Sequence, residues 1–263
     1  MNHTSPDRPL VLVTNDDCIS APGLHVLAGL AAEWADVVCV APKRPQSGKS
    51  SALTVNDALR VNEEHPAGAV PGVKYYSVDN GTPVDCVKVA LYSIVPRRPD
   101  FLFSGINHGS NSGTNVLYSG TMGAAIEGAV EGIPSAGFSL LHHSWEADFS
   151  LSLSFVSELM KRIRATPPAP GVCLNINIPA RVVPRGVRTC RGCPGRWNEG
   201  YQAYTDPFGH EFLMLAGRFV NEAPDATDTD EYWLSHGYIS VVPVTCDMTA
   251  REALPGTAAH FDF

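Results

Sequence analysis

The stretch LVLVTNDDC, residues 10–18, carries the clearest indication of the fold. Its first five residues, Leu10–Thr14, are apolar or β-branched, which is typical of a short parallel strand covered on both faces. Asn15, Asp16 and Asp17 follow directly, so two adjacent carboxylates that repel each other come at the end of a buried strand. The stretch therefore predicts a parallel sheet with an acidic turn at its edge.

Strand and helix patterns alternate from this stretch to residue 179. Pro22 suits the first turn of a helix, and Thr82, Pro83 and Asp85 form a helix-start signature. Repeated strand–helix–strand units predict an α/β fold with a doubly wound, mostly parallel sheet and right-handed crossovers. The predicted strands cover residues 10–14, 36–42, 74–79, 100–106, 133–141 and 172–179, and the predicted helices cover residues 21–34, 82–94, 120–132 and 149–163.

The pattern changes after Pro179. Residues 180–232 are rich in Gly, Pro, Arg, Asn and Asp and lack a sustained helical period, which favours hairpins. Residues 237–245 are predicted to return as a strand, followed by a loose tail. We therefore divide the chain into a core, residues 1–179, and an extension, residues 180–263, that packs on the core and serves oligomerisation. Because the extension would be poorly buried in a lone subunit, we expect a homo-oligomer.

Composition excludes some classes of protein. The chain has 263 residues with 44% hydrophobic and 17% charged residues, as expected for a globular protein with a sizeable core. A net charge of −8 argues against binding of nucleic acid polymers, although it leaves room for a small anionic substrate. No apolar run approaches the roughly 18 residues needed to span a bilayer. The first ten residues are polar and lack the apolar core of a signal peptide, so we expect a cytoplasmic protein with no membrane partner.

The seven cysteines favour buried, reduced thiols over a disulfide framework, because they are odd in number and mostly lie in apolar stretches. Cys190 and Cys193 form the one CxxC motif, but no second ligand pair follows at zinc spacing.

Three loops are predicted to meet at one edge of the sheet. In an open parallel sheet, ligands bind outside the carboxyl ends of the strands, near the point where the strand order reverses. Asp16 and Asp17 follow the first strand, residues 43–50 follow the second, and Asn107 follows the strand at 100–106. This convergence is the strongest functional indication that the residues themselves provide.

The paired aspartates have two interpretations at this edge. One Asp could cap the following helix, since Asp is favoured at a helix start. Alternatively, Asp16 and Asp17 could bind a hard cation together with amide and hydroxyl oxygens, which suits Mg²⁺, Mn²⁺ or Ca²⁺ better than zinc. No histidine lies beside the two aspartates, which favours the hard cation.

Two neighbouring motifs could contact an anion. The sequence QSGKS, residues 46–50, is not a P-loop, because Lys43 stands where that motif requires glycine, but Ser47 remains a candidate hydroxyl ligand. Ser119, Gly120 and Thr121 start a helix whose free N–H groups could receive a phosphate. The small residues of that helix would let it pack very close to the sheet.

Five blocks, in order, resemble the SurE family of stationary-phase survival proteins, which are metal-dependent 5'/3'-nucleotidases. The resemblance extends from Val11 to about Thr249 and implies a Rossmann-like core, a β-hairpin extension, and a C-terminal segment exchanged between subunits of a homodimer or homotetramer. It implies one divalent cation, Mg²⁺ or Mn²⁺, and substrates that are nucleoside monophosphates or, in some members, short polyphosphate. The blocks are TNDD…APG, APKRPQSGKSSALT, GTPVDCVKVAL, SGINHGSNSGTNVLYSGTMGAAIEG and TDTDEYWLSHGYISVVPVT.

The resemblance assigns roles residue by residue. We expect a metal-dependent phosphomonoesterase in which a positioned water attacks phosphorus in line. The alternative is a metal-assisted nucleotide-binding module that catalyses nothing, or an acidic edge where a cation only joins three loops. The implied metal ligands are Asp16, Asp17, Ser47 and Asn107, the candidate catalytic residues are Asp16, Asp17 and Asn107, and the candidate phosphate contacts are Asn15, Asn111, Ser119, Gly120 and Thr121.

Cys18 departs from the family pattern, in which glycine usually follows the two aspartates. Glycine adopts backbone angles that cysteine rarely does. We therefore expect either a shifted loop or a negative φ at this position.

Overall fold

The computed structural model describes residues 8–262, which form a mostly parallel sheet with helices on both faces. Residues 1–7, on which the prediction of no signal peptide largely depends, lie outside the described residues. The strands are β1 (Leu10–Thr14), β2 (Asp36–Pro42), β3 (Arg60–Glu64), β4 (Lys74–Asp79), β5 (Phe101–His108), β6 (Ser135–Leu140), β7 (Val172–Ile178), β8 (Val187–Thr189), β9 (Gly195–Thr205), β10 (Glu211–Asn221) and β11 (Ile239–Thr245). The helices are α1 (Pro22–Ala32), α2 (Pro83–Val89), α3 (Gly120–Val130), α4 (Leu153–Ala165), α5 (Asp230–Ser235) and α6 (Leu254–Phe261).

The main sheet has the strand order β3-β4-β2-β1-β5-β6-β7-β11-β8. The six strands from β4 to β7 are parallel to one another, whereas β3 and β11 pair antiparallel with their inner neighbours. The chain builds outward from β1 through β2 to β4, and then returns to build β5, β6 and β7 on the other side. The predicted doubly wound α/β fold is confirmed, and its switch point lies between β1 and β5.

Neighbouring residues of β1 face opposite layers of the core. Val11 packs into the layer that contains α1 and α4, and Leu12 packs into the layer that contains α2 and α3. A Cβ atom added to Gly128 of α3 would lie 2.2 Å from the Ser135 hydroxyl oxygen. The small residues of α3 therefore permit the close approach to the sheet that the sequence predicted.

Several predicted boundaries were wrong or incomplete. β3 is absent from the predicted strands; it has the sequence RVNEE and is almost wholly exposed at the sheet edge, so no apolar run indicates it. The predicted helix 82–94 has its capping box at Thr82 and Asp85, but it widens into a π-helical turn at Ala90–Ile94. The tail predicted to be loose contains α6.

The extension contributes to two sheets. β11 pairs with β7, β8 pairs with β11, and β9 and β10 form a separate two-stranded hairpin. The predicted hairpin and returning strand are confirmed, while the domain division at residue 179 and the exchanged C-terminal segment stay predictions. No helix within residues 8–262 is long and apolar enough to cross a bilayer.

Candidate functional site

The carboxyl ends of β1, β2 and β5 meet at the switch point of the sheet. Thr14, the last residue of β1, lies in register with Ser104 of β5. The loop after β2 is held against the loop after β1, because the Gln46 N–H donates to the Asp16 carbonyl oxygen at 2.7 Å. The three loops therefore lie together, as the topology of a parallel sheet requires.

A pocket of about 850 Å³ opens at this edge, within the usual size range of small-molecule sites. Asp16, Ser47 and Asn107 all line it, together with Asn111 and Ser119. Five of the residues singled out from the sequence thus share one cavity.

Asp16 is buried at the inner end of this pocket, with 4% of its surface exposed. Burial, and secondarily the charge of Asp17, raises the pKa of its carboxyl group to about 6. The Thr121 hydroxyl donates a short hydrogen bond to Asp16 Oδ1 and partly offsets this rise. The carboxylate is therefore fixed in position but electrostatically unfavourable without a positive partner.

Asp17 lies beside it and is also oriented by the protein. The His108 backbone N–H donates to Asp17 Oδ2 at 3.1 Å. Burial raises the pKa of the Asp17 carboxyl group despite this hydrogen bond. Within residues 8–262, neither aspartate forms an ion pair with a Lys, Arg or His side chain.

The donor atoms at this edge fit a hard divalent cation. Asp16 and Asp17 offer carboxylate oxygens, and the exposed Ser47 offers a hydroxyl group. The Asn107 amide nitrogen donates to the Gly109 carbonyl oxygen at 2.9 Å, which leaves the amide oxygen available. In the described part of the chain, no group of three or more His, Cys, Asp or Glu side chains could hold a metal ion, so the hydroxyl and amide oxygens of Ser47 and Asn107 are needed to complete this site.

The start of α3 lies against these aspartates. Ser119 caps the helix through a hydrogen bond from the Met122 N–H at 3.0 Å, and it lines the pocket. A Cβ atom at Gly120 would lie 2.8 Å from the Asp16 Cβ, so glycine is needed for this approach. Thr121 is fully buried and its hydroxyl is committed to Asp16. Thr121 therefore orients a carboxylate, whereas Ser119 can face a ligand.

The two candidate asparagine contacts are held by the protein itself. Asn15 is fully buried, and its amide group exchanges hydrogen bonds with the Cys18 backbone, at 3.0 Å to the carbonyl and 3.2 Å from the N–H. The Asn111 amide nitrogen donates to the Ser139 hydroxyl at 2.7 Å. Asn15 thus supports the acidic turn from behind, away from the pocket, while Asn111 still lines the cavity.

Cys18 has a φ of 116°, so of the two alternatives the negative φ was wrong, while the shifted loop stays a prediction. The turn keeps a conformation that favours glycine although the residue is cysteine. The two hydrogen bonds between the Asn15 amide group and the Cys18 backbone hold the turn in this conformation.

The cysteines agree with the expectation of reduced thiols. All seven are free, and Cys18, Cys39, Cys86, Cys173 and Cys193 are buried. Burial raises the pKa of both cysteines of the CxxC motif, Cys190 and Cys193, so neither is activated as a thiolate.

Sequence reasoning missed the outer wall of the pocket. Trp197 and Tyr201 of β9, Leu215 of β10, and Tyr118 and His143 from core loops line it. The only available signal was the run of aromatic residues in the extension, because nothing in the sequence places the hairpin over the end of the sheet.

Comparison with known proteins agrees with this arrangement. A family model described as "Survival protein SurE" matches residues 11–199. The chain is 45% identical to a protein of Christiangramia forsetii named "5'-nucleotidase SurE" over 247 residues, which are 93% of this chain and 94% of that protein. A protein of Chlorobaculum tepidum with the same name is 41% identical over 249 residues, 94% of this chain and 92% of the relative. The fold is similar to the crystal structure of the SurE protein from Aquifex aeolicus, with a TM-score of 0.79 and 30% identity, covering 95% of this chain and 99% of that one.

Proposed function

Since the chain belongs to the SurE family, we propose that it is a 5'-nucleotidase that hydrolyses nucleoside monophosphates to nucleoside and phosphate with the help of one divalent cation. The observation that carries the proposal is the pair of adjacent carboxylates at the switch point of the sheet, the buried Asp16 and the half-buried Asp17, neither of which has an ion-pair partner among residues 8–262. Asp16 lines the pocket and Asp17 lies directly beside it in the chain, and two such neighbouring charges favour a bound cation.

Asp16, Asp17, Ser47 and Asn107 would hold the cation, Mg²⁺ or Mn²⁺. When bound, such an ion polarises a phosphate oxygen and neutralises part of the charge of the substrate. The oxygen donors described above support this assignment, since hard cations prefer carboxylate, amide and hydroxyl oxygens.

The remaining residues of the site orient the two carboxylates and provide contacts for the phosphate of the substrate. The Thr121 hydroxyl and the His108 N–H fix the two carboxylates before substrate arrives, which lowers the reorganisation needed during the reaction. The positive end of α3, with Ser119 at the pocket surface, favours a phosphate there, and Asn111 extends the same wall. Phosphoryl transfer depends mainly on such positioning and charge neutralisation.

Phosphate release from 5'-AMP tests the proposal. We expect turnover with Mg²⁺ or Mn²⁺, loss of turnover after chelation, and a loss of about two orders of magnitude or more in Asp17→Asn. The exposed Asp225 provides the matched control, because Asp225→Asn makes the same change at a residue that does not line the pocket and should leave turnover unaltered. 3'-AMP and short polyphosphate belong in the same assay, because we propose them as further substrates. Metal-independent turnover would contradict the proposal, and nucleotide binding without phosphate release would identify a binding module instead.

We also propose that the chain forms a homodimer or homotetramer through its C-terminal segment, residues 246–262, and acts in the cytoplasm. Met248, Leu254 and Phe261 are apolar and largely exposed in this segment. Their burial against a second subunit would remove apolar surface from water.

A further inference from the structure

The hairpin of β9 and β10 carries an apolar face that is turned toward the pocket. Side chains alternate between the two faces of a strand, so Trp197 and Tyr201 of β9 lie on the same face. In the antiparallel register, Leu215 of β10 lies directly opposite Tyr201. All three side chains line the cavity that also contains Asp16, although the hairpin makes no pair with the main sheet.

This face is fixed relative to the carboxylates. The indole N–H of Trp197 donates to Asn115 Oδ1 at 2.6 Å, and the Thr114 hydroxyl donates to the Gly195 carbonyl oxygen at 2.9 Å. At the base of the hairpin, the Cys193 N–H donates to the buried Asp230 at 2.8 Å. The loop between β5 and α3 therefore holds the hairpin at a set distance from the catalytic end of the pocket.

The exposure of these side chains indicates an apolar contact that is not satisfied within the subunit. Tyr201 is 68% exposed and Leu215 is 59% exposed, although both border a cavity of about 850 Å³. Tyr118, on the loop side of the same cavity, is 57% exposed. The polar donors lie at the inner end of the pocket and the aromatic side chains at its outer end.

We propose that the side chains of Trp197, Tyr201 and Leu215 form a platform on which the nucleobase of the substrate stacks while its phosphate lies at the Asp16 end. This inference rests on the proposed function and specifies how the same site takes its substrate. Every base has a π face, so an aromatic and aliphatic platform binds nucleosides without reading the base by hydrogen bonds. The platform distinguishes nucleotides from phosphomonoesters that lack a base.

The test compares AMP with ribose 5-phosphate, which carries the same phosphate and sugar without a base. In Tyr201→Ala, we expect the ratio of kcat/KM for AMP to kcat/KM for ribose 5-phosphate to fall about tenfold, which is a stacking contribution of about 1.4 kcal/mol. Tyr201→Phe should restore the ratio, because the ring is retained. Tyr204→Ala is the matched control, since Tyr204 lies on the same strand but stacks on Phe212 and does not line the pocket.

Binding to the metal-free protein separates this inference from the proposed function. Calorimetry in EDTA should give a lower dissociation constant for AMP than for ribose 5-phosphate in the unaltered protein, and Tyr201→Ala should remove most of that difference. AMP binding without phosphate release in the assay with Mg²⁺ or Mn²⁺ would overturn the proposed function but would agree with the platform. Equal affinities for the two ligands, or an equal loss for both in Tyr201→Ala, would overturn the platform whether or not phosphate is released. Light scattering of each variant checks that its oligomeric state is unchanged.

Discussion

Cys18 occupies a left-handed backbone conformation, with a φ of 116°, directly after the two aspartates. A Cβ atom makes this region unfavourable, at a cost of about 1–2 kcal/mol for an ordinary residue. The turn nevertheless keeps this angle, because Asn15 is buried behind it and bonds both the N–H and the carbonyl of Cys18. The hydrogen bonds of the acidic turn thus impose a φ that a cysteine residue alone would not favour.

Replacement of Cys18 tests this strain. Glycine is usually less stabilising than alanine by about 0.5–1 kcal/mol, because it loses more backbone entropy on folding. At Cys18 we expect the reverse order, with Cys18→Gly more stable than Cys18→Ala in urea unfolding, since both variants lose the thiol but only alanine keeps the strain. A Cys18→Ala protein as stable as Cys18→Gly would show that the turn carries no strain.

The buried carboxyl group of Asp16 should make the metal-free protein sensitive to pH. Its pKa rises from 3.8 in the unfolded chain to about 6 in the fold, so the folded state binds the proton more tightly. The stabilisation from this group is present below pH 4 and is lost as the pH rises through about 6, with an upper bound of roughly 3 kcal/mol. In EDTA, the Tm should therefore fall between pH 5 and pH 7.5 more in the unaltered protein than in Asp16→Asn.

At pH 7.5 in EDTA, Asp16→Asn should melt above the unaltered protein, because the variant removes an unpaired buried charge. Mg²⁺ should raise the Tm of the unaltered protein and have less effect on the variant. Asp225→Asn serves as the surface control. A lower Tm for Asp16→Asn in EDTA would mean that the carboxylate stabilises the fold without a cation.

At the scale of elements, the sequence predicted what depends on local pattern. The bounds of β1, β2 and β4 agree with the predicted residues, because each strand is rich in apolar, aromatic or β-branched residues and Asn15, Pro42 and Asp79 mark the places where the three strands end. β3 has no such pattern, and it forms only because the edge of β4 is available for pairing. The convergence of three loops followed from the rule for parallel sheets, whereas the position of the hairpin over the pocket depends on tertiary hydrogen bonds that no periodicity encodes.

α3 provides an element-scale prediction through its glycines. A Cβ atom at Gly123 would lie 2.2 Å from the Ser50 carbonyl oxygen, in the loop that carries Ser47. Gly123→Ala should therefore destabilise the fold by about 1–3 kcal/mol and weaken Mg²⁺ binding by displacing that loop. Gly29, in the interior of α1, is the comparison. The nearest atom to a new Cβ there lies at an ordinary 3.7 Å, so Gly29→Ala should be more stable than the unaltered protein by about 0.5–1 kcal/mol. Urea unfolding measures the change in stability of each variant, and a magnesium titration measures the change in affinity. Equal effects of the two substitutions would contradict the packing described for α3.

At the scale of the whole molecule, the C-terminal segment, residues 246–262, packs poorly within one subunit. α6 has no buried residue, and Met248 is 82% exposed. We expect light scattering at micromolar concentration to give a multiple of the 28.2 kDa chain mass, and deletion of residues 246–263 to reduce it to the monomer. A monodisperse monomer for the full chain would rule out the exchanged segment.

The net charge of −8 means that the protein as a whole repels an anionic substrate. An acidic protein that binds a nucleoside monophosphate beside the carboxylates of Asp16 and Asp17 needs a local positive charge to do so. The nature and place of that charge decide between a nucleotidase of the proposed kind and an acidic edge with a purely structural role.

The most direct measurement is an anomalous difference map from crystals grown with Mn²⁺. We predict one strong peak per subunit within coordination distance of Asp16, Asp17, Ser47 and Asn107, about 2–2.5 Å from their oxygen atoms. A peak elsewhere in the molecule, or crystals that hydrolyse AMP with no peak at these four residues, would contradict this prediction.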